Sequence, residues 1–256
     1  MTIDVRGQSI HYEEAGAGEV VLLLHGWGTD LTLFRPLMEL LARKYRVVAI
    51  DFPGFGQSPE PTAAATAAAW CVDDYADCVL AFLQAMDIKA CSMLGHSFGG
   101  RVIIKLAARD LPELKLQKLI LTGAAGIKHP QSVEAQKRAK KYQTGKQLLA
   151  PFPKLLERYR NKHGSADYRA ASPMMRQVLV KTVNEDLSPL LPQVAPPPLL
   201  IWGRNDTATP LEDGQRMEAE IPGAGLAVIE NAGHYAFLEQ QAQFLRIIAS
   251  FMQIGD

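Results

Sequence analysis

The sequence is poor in features that would commit it to one environment. Lysine plus arginine and aspartate plus glutamate both number 27 in 256 residues, so no net charge draws the chain to nucleic acid or an anionic membrane. Cysteine occurs three times, at Cys71, Cys78 and Cys91. An odd count without close metal-ligand spacing argues against a disulfide framework or a zinc site and fits reduced thiols in a core. No apolar run reaches the length of a bilayer crossing, and Met1-Thr2-Ile3-Asp4-Val5-Arg6 lacks a basic stretch followed by an apolar one. A soluble, cytoplasmic protein is expected. No Pro/Gly/Ser-rich linker divides the chain, and its length suffices to bury a sizeable core.

What is present is an alternation of short apolar runs with helical periodicity. Residues 2–15 alternate apolar and polar side chains about Gly7-Gln8, as a hairpin does. Val20–Leu24, Arg46–Ile50 and Leu199–Trp202 read as buried strands, and Leu116–Leu121 and Leu226–Glu230 as further strands. Helical stripes lie between them, near 30–41, 70–86, 98–109, 210–221 and 235–252. Strand and helix in alternation predict a mostly parallel sheet covered on both faces. The alanine-rich stretch 63–69 is uninformative by itself. Between Ile127 and Leu190 the strands cease, and helical runs such as 133–142 and 173–183 are broken by Pro151, Pro153, Gly164 and Pro173. Core segments 1–126 and 191–256 are therefore expected to be interrupted by a helical insertion, 127–190, roofing the carboxyl edge of the sheet. The insertion holds thirteen Lys and Arg against five Asp and Glu, a net +8 that the rest of the chain balances at −8. These charges read as solvated helix faces on an acidic body, or as guidance for an anionic substrate or contact with an anionic surface.

The chemistry centres on Met93-Leu94-Gly95-His96-Ser97-Phe98-Gly99-Gly100, an apolar strand running through Gly-x-Ser-x-Gly into an amphipathic helix. A serine on such a strained corner projects its hydroxyl above the carboxyl edge of the sheet, and a Cβ at Gly95 or Gly99 would collide with the neighbouring strand or helix. A serine hydroxyl needs a base within reach, oriented by a third group. Of the six histidines, His11 lies in the hairpin and His129 and His163 in the insertion. His25 suits backbone placement, and His96 should point away from the serine hydroxyl. His234 follows a strand in Asn231-Ala232-Gly233-His234, on a loop at the carboxyl edge where catalytic groups of open α/β sheets gather. The orienting acid is Asp206, after the strand ending in Trp202-Gly203, with Asp51 as competitor. Asp206 could instead cap a helix or form an Asx-turn, and Asp51 could brace its own turn.

His25-Gly26-Trp27-Gly28, Asp51–Ser58, Gly95–Gly100, Trp202–Asp206 and Gly233-His234, in that order, resemble the motifs of α/β-hydrolase-fold enzymes with a helical cap. The resemblance covers nearly the whole chain outside the insertion. It implies an eight-stranded, mostly parallel sheet flanked by helices. It also implies a triad of Ser97, Asp206 and His234, and an oxyanion hole formed by the backbone N–H groups of Trp27 and Phe98. Relatives that displace halide or open epoxides use aspartate at the elbow, so Ser97 favours acyl transfer to water on a small-molecule substrate, without metal or cofactor. Hydrolysis of a small or medium carboxylic ester is expected. Carbon–carbon bond hydrolysis and thioester hydrolysis are alternatives with the same triad, and a hydrolase-like receptor that only binds is a third reading.

Overall fold

The computed structural model describes residues 1–61, 69–129, 133–163 and 165–255; most of the alanine-rich stretch and the breaker Gly164 lie outside the described residues. β1 (Thr2–Val5) and β2 (Gln8–Ala15) form the expected hairpin, with Val5 opposite Gln8. Its turn falls one residue earlier than the alternation suggests, on Arg6 and Gly7. Both have positive φ, 54° and 76°, as a two-residue turn matched to the strand twist requires. β3 (Val20–Leu24) and β4 (Arg46–Ile50) follow, then β5 (Ala90–His96), β6 (Lys115–Thr122), β7 (Pro198–Gly203) and β8 (Gly225–Ile229). The eight strands form one sheet in the order β1-β2-β4-β3-β5-β6-β7-β8, parallel from β4 onward.

β3 is buried along its whole length because both faces are covered. On one face Leu22 and Leu24 join α2 (Val72–Ala85) and α3 (Phe98–Ala107) through Tyr75, Phe82 and Ile103. On the other, Val21 and Leu23 pack with Leu37 and Leu41 of α1 (Arg35–Leu41) and with Phe244 and Ile248 near the C-terminus. The helix read near 30–41 opens with a 3-10 turn, Leu31–Phe34, capped by the Asp30 side chain.

Among the described residues, four α-helices and a 3-10 turn (Ser188–Gln193) separate β6 from β7: α4 (Val133–Leu148), α5 (Pro153–His163), α6 (Ala166–Ala170) and α7 (Pro173–Asn184). Pro153 and Pro173 begin helices rather than merely breaking them, as proline's fixed φ and missing N–H allow in a first turn. After β7 come α8 (Leu211–Glu220), β8, α9 (Ala236–Glu239) and α10 (Gln241–Met252). The last helix is thus split at Gln240, where the backbone leaves the helical region. Just before the break, the Glu239 carboxylate accepts the N–H groups of Gly233 and Tyr235, at 2.8 and 3.2 Å, and binds the end of α9 to the loop carrying His234. Among the described residues no helix is long and apolar enough to cross a membrane.

Candidate active site

Ser97 joins β5 to α3 with φ 51° and ψ −107°, a conformation that L-residues rarely adopt. The corner closes because its flanks are glycine. A Cβ on Gly95 would lie 2.6 Å from the Gly99 carbonyl, and one on Gly99 would strike the Leu24 carbonyl oxygen. The Ser97 N–H donates to Thr122 O on β6, while Ser97 O accepts from Gly100 and Ala125. Strain at one residue is therefore held by pairing on both sides.

Asp206 follows β7 and is buried. Its Oδ1 accepts the N–H groups of Ala208 and Thr209, at 2.8 and 2.9 Å. Its Oδ2 lies 2.8 Å from both His234 Nδ1 and the Thr209 hydroxyl. Burial alone would raise the Asp206 pKa. The hydrogen bonds from His234 and Thr209 and the nearby imidazole outweigh it and hold the carboxyl below its ordinary value. An ionised Asp206 keeps the Nδ1–H tautomer of His234 and leaves Nε2 able to accept a proton.

Asp51, the competing acid, has its oxygens committed elsewhere. Oδ1 accepts Leu31 N–H, and Oδ2 accepts Gln57 N–H and lies 2.9 Å from His11 Nδ1. It braces the turn after β4. His25 is also structural: Nδ1–H donates to Gly26 O at 2.7 Å, and Nε2 accepts Phe52 N–H at 2.9 Å. That bonding fixes a neutral ring, and burial accordingly lowers its pKa.

Ser97, His234, Trp27 and Phe98 line one cavity of about 500 Å³. Phe98 is the first residue of α3, so its N–H has no acceptor within the helix. The Trp27 ring packs edge-on against Phe98 and Phe55, with centroids 5.7 and 4.9 Å apart, fixing the turn after β3 beside the serine. Leu179, Thr182 and Val183 of α7 line the same cavity from the inserted segment.

Thr209 and Arg101 lie at the cavity without having been singled out in the sequence, and His96 and His129, read there as non-catalytic, also lie at it. His96 lines it, and its ring packs 4.7 Å from that of His234. Burial, helped by the nearby His234, lowers the His96 pKa to about 3, so it packs there as a neutral ring. Thr209, in Asp206-Thr207-Ala208-Thr209, supplies a hydroxyl that touches both Asp206 and His234. A hydroxyl three residues after the acid was the available signal. His129 of the insertion lies 2.6 Å from buried Asp213, whose pKa is raised by burial against the opposing pull of His129. Arg101, one turn into α3, also faces the cavity.

A largely parallel sheet with a strained serine at one strand end and an Asp–His pair on neighbouring loops is the framework of an α/β hydrolase. The alpha/beta hydrolase family model matches residues 21–247, and the chain belongs to that family. It is 29% identical to a 2-hydroxy-6-oxo-6-phenylhexa-2,4-dienoate hydrolase of Burkholderia cepacia, covering 100% of this chain and 96% of the relative. It is 26% identical to a pimeloyl-[acyl-carrier protein] methyl ester esterase of Aliivibrio salmonicida, covering 97% of each. Among solved structures, an esterase from Exiguobacterium antarcticum superposes with a TM-score of 0.76 at 25% identity, over 98% of each chain.

Proposed function

We propose that the protein is a serine hydrolase that cleaves a small or medium carboxylic ester through an acyl-enzyme on Ser97. The observation that carries this reading is the 2.8 Å Asp206–His234 pair sharing a cavity with the strained serine. In this mechanism His234 Nε2 takes the proton of Ser97 Oγ as the oxygen attacks the ester carbonyl. The N–H groups of Trp27 and Phe98 bind the resulting oxyanion; losing one such donor typically costs about 2.7–4 kcal/mol of transition-state stabilisation. His234 then gives its proton to the leaving alkoxide. Water, deprotonated by the same imidazole, attacks the acyl-enzyme and releases acid and free Ser97.

The segment 127–190 acts as a cap over the core formed by 1–126 and 191–256, a role supported by the α7 side chains at the cavity wall. The free cysteines, two of them buried with thiols pushed up to about 12, suit a reducing cytoplasm. The resemblance to the Burkholderia cepacia enzyme supports a second reading, hydrolysis of a carbon–carbon bond by the same residues. Turnover of p-nitrophenyl esters of increasing chain length, beside acyl-CoA and vinylogous diketone substrates, separates the readings. Ester turnover that vanishes in S97A is the expected result. Ester turnover unaffected by S97A would overturn the mechanism, and turnover of the diketone alone would select the carbon–carbon reading.

A further inference from the structure

Arg101 is a buried cation in the cavity that holds Ser97. It sits four residues after the serine on α3, about 6 Å along the helix axis. Side chains of a helix lean toward its N-terminus, so residue 101 covers the turn that begins at Ser97.

Its protein partner is a backbone carbonyl: Nη1 donates to Glu185 O at 2.9 Å. Among the described residues no carboxylate lies within ion-pair distance of the guanidinium. The two acids that act on it through space are bound elsewhere. Glu185 Oε1 is 2.5 Å from Lys105 Nζ, and Asp186 Oδ1 accepts from the Ser188 hydroxyl and N–H and from Lys128 N–H. Burial draws the Arg101 pKa down to about 10, which leaves the group charged at neutral pH. A desolvated cation without a direct ion-pair partner is costly in a fold, and a guanidinium fork is matched to a carboxylate.

We propose that Arg101 anchors a carboxylate carried by the substrate, so that the ester cleaved at Ser97 belongs to an acid with a second, free carboxylate. This rests on the hydrolase reading above and names its substrate class. The carboxylate supplies the direct ion-pair partner that the guanidinium lacks among the described residues. Thr182, at the cavity wall with its hydroxyl hydrogen-bonded to Leu179 O, and the apolar side chain of Leu179 bound the space around the linking chain.

The test compares monomethyl esters of straight-chain dicarboxylic acids of four to eight carbons with methyl esters of the matching monocarboxylic acids, followed by pH-stat. The wild type should favour the charged ester of the best-fitting length at least tenfold in kcat/KM. In R101Q that charged-to-neutral ratio should fall at least tenfold, with the loss mainly in KM, and R101K should recover part of it. Equal losses for both esters would reduce Arg101 to a bolt holding Glu185, and a wild type without charge preference would overturn the proposal outright. If R101Q does not fold, competitive inhibition of the wild type decides instead: adipate should inhibit and hexanamide should not, and equal inhibition would overturn the assignment. Absence of Ser97-dependent turnover on every ester would sink the hydrolase reading itself; turnover without charge discrimination would sink only the role of Arg101.

Discussion

His25 Nε2 accepts the N–H of Phe52 at 2.9 Å, fastening the turn after β3 to the turn after β4. The same ring donates from Nδ1 to Gly26 O, one residue before Trp27. A phenylalanine would fill the space yet leave the buried Phe52 N–H unpaired, at a cost of about 1–3 kcal/mol. H25F should therefore melt lower and lose kcat by more than the stability change explains, because the Trp27 N–H loses its support. A variant with wild-type kcat and a lower Tm would show that the turn has no part in placing the proposed oxyanion donor.

At Ser97 the strained backbone can be separated from the chemistry. Replacement by alanine removes the hydroxyl and keeps the φ of 51° unfavourable, whereas glycine adopts positive φ without steric cost. Relief of about 1–3 kcal/mol of strain should exceed the roughly 0.4–1 kcal/mol of extra unfolded-chain entropy. Both variants should lose about three orders of magnitude or more in kcat, with S97G melting above S97A. S97G melting below S97A would mean that the corner holds no releasable strain.

The two acids are distinguished by opposite outcomes. In D206N an amide faces His234 Nδ1 and disfavours the required tautomer, so kcat should fall by about three to four orders of magnitude with the fold retained. In D51N the carboxylate that serves Leu31, Gln57 and His11 is lost, and stability should drop by about 2 kcal/mol or more. Activity per folded molecule should persist in D51N. Reversal of the two outcomes would make Asp51 the orienting acid.

His96 should leave its mark on acid stability. Its folded pKa of about 3 lies below the ordinary histidine value, so between those limits the unfolded chain binds a proton that the folded chain does not. Its contribution is complete above about pH 6.5 and is lost as pH falls toward 3, by up to about 1.4 kcal/mol per pH unit. His25, also lowered by burial, acts in the same direction. H96N retains a donor for Thr122 O but does not titrate. Urea denaturation across pH 4–7 should therefore show a shallower fall for H96N than for wild type, and identical slopes would contradict neutral burial of His96.

Five ordered motifs made the sheet, the elbow and the two partner loops legible, since each rests on short-range rules: buried runs for strands, glycines where a Cβ collides, loops at carboxyl edges. The contacts made across the sequence were not legible. Nothing in the sequence marks Arg101 apart from other helix cations; only the fold brings Glu185, 84 residues later, to its side. The Glu239 carboxylate has no signal in its own neighbourhood of the sequence for the loop at Gly233 that folds back on it. His96 was placed by its neighbour Ser97, although its ring environment is set by His234, Tyr235 and Phe237.

The excess positive charge of the inserted segment can be tested separately from Arg101 because the two sit in different dielectrics. Lys137, Lys140 and Lys141 of α4 are exposed and spaced so that they share one helix face. Their field on an approaching substrate is screened beyond about 8–10 Å at physiological ionic strength, whereas the attraction of a buried guanidinium for a bound carboxylate is screened far less. If these lysines steer anionic substrates, added salt should lower kcat/KM for a monomethyl dicarboxylate and leave the neutral ester nearly unchanged. The triple change K137E/K140E/K141E should flatten that salt dependence while preserving whatever charge preference remains at high salt. Equal salt sensitivity of both esters, or a triple variant that behaves like wild type, would leave the lysines as solvated surface and the discrimination to the cavity alone.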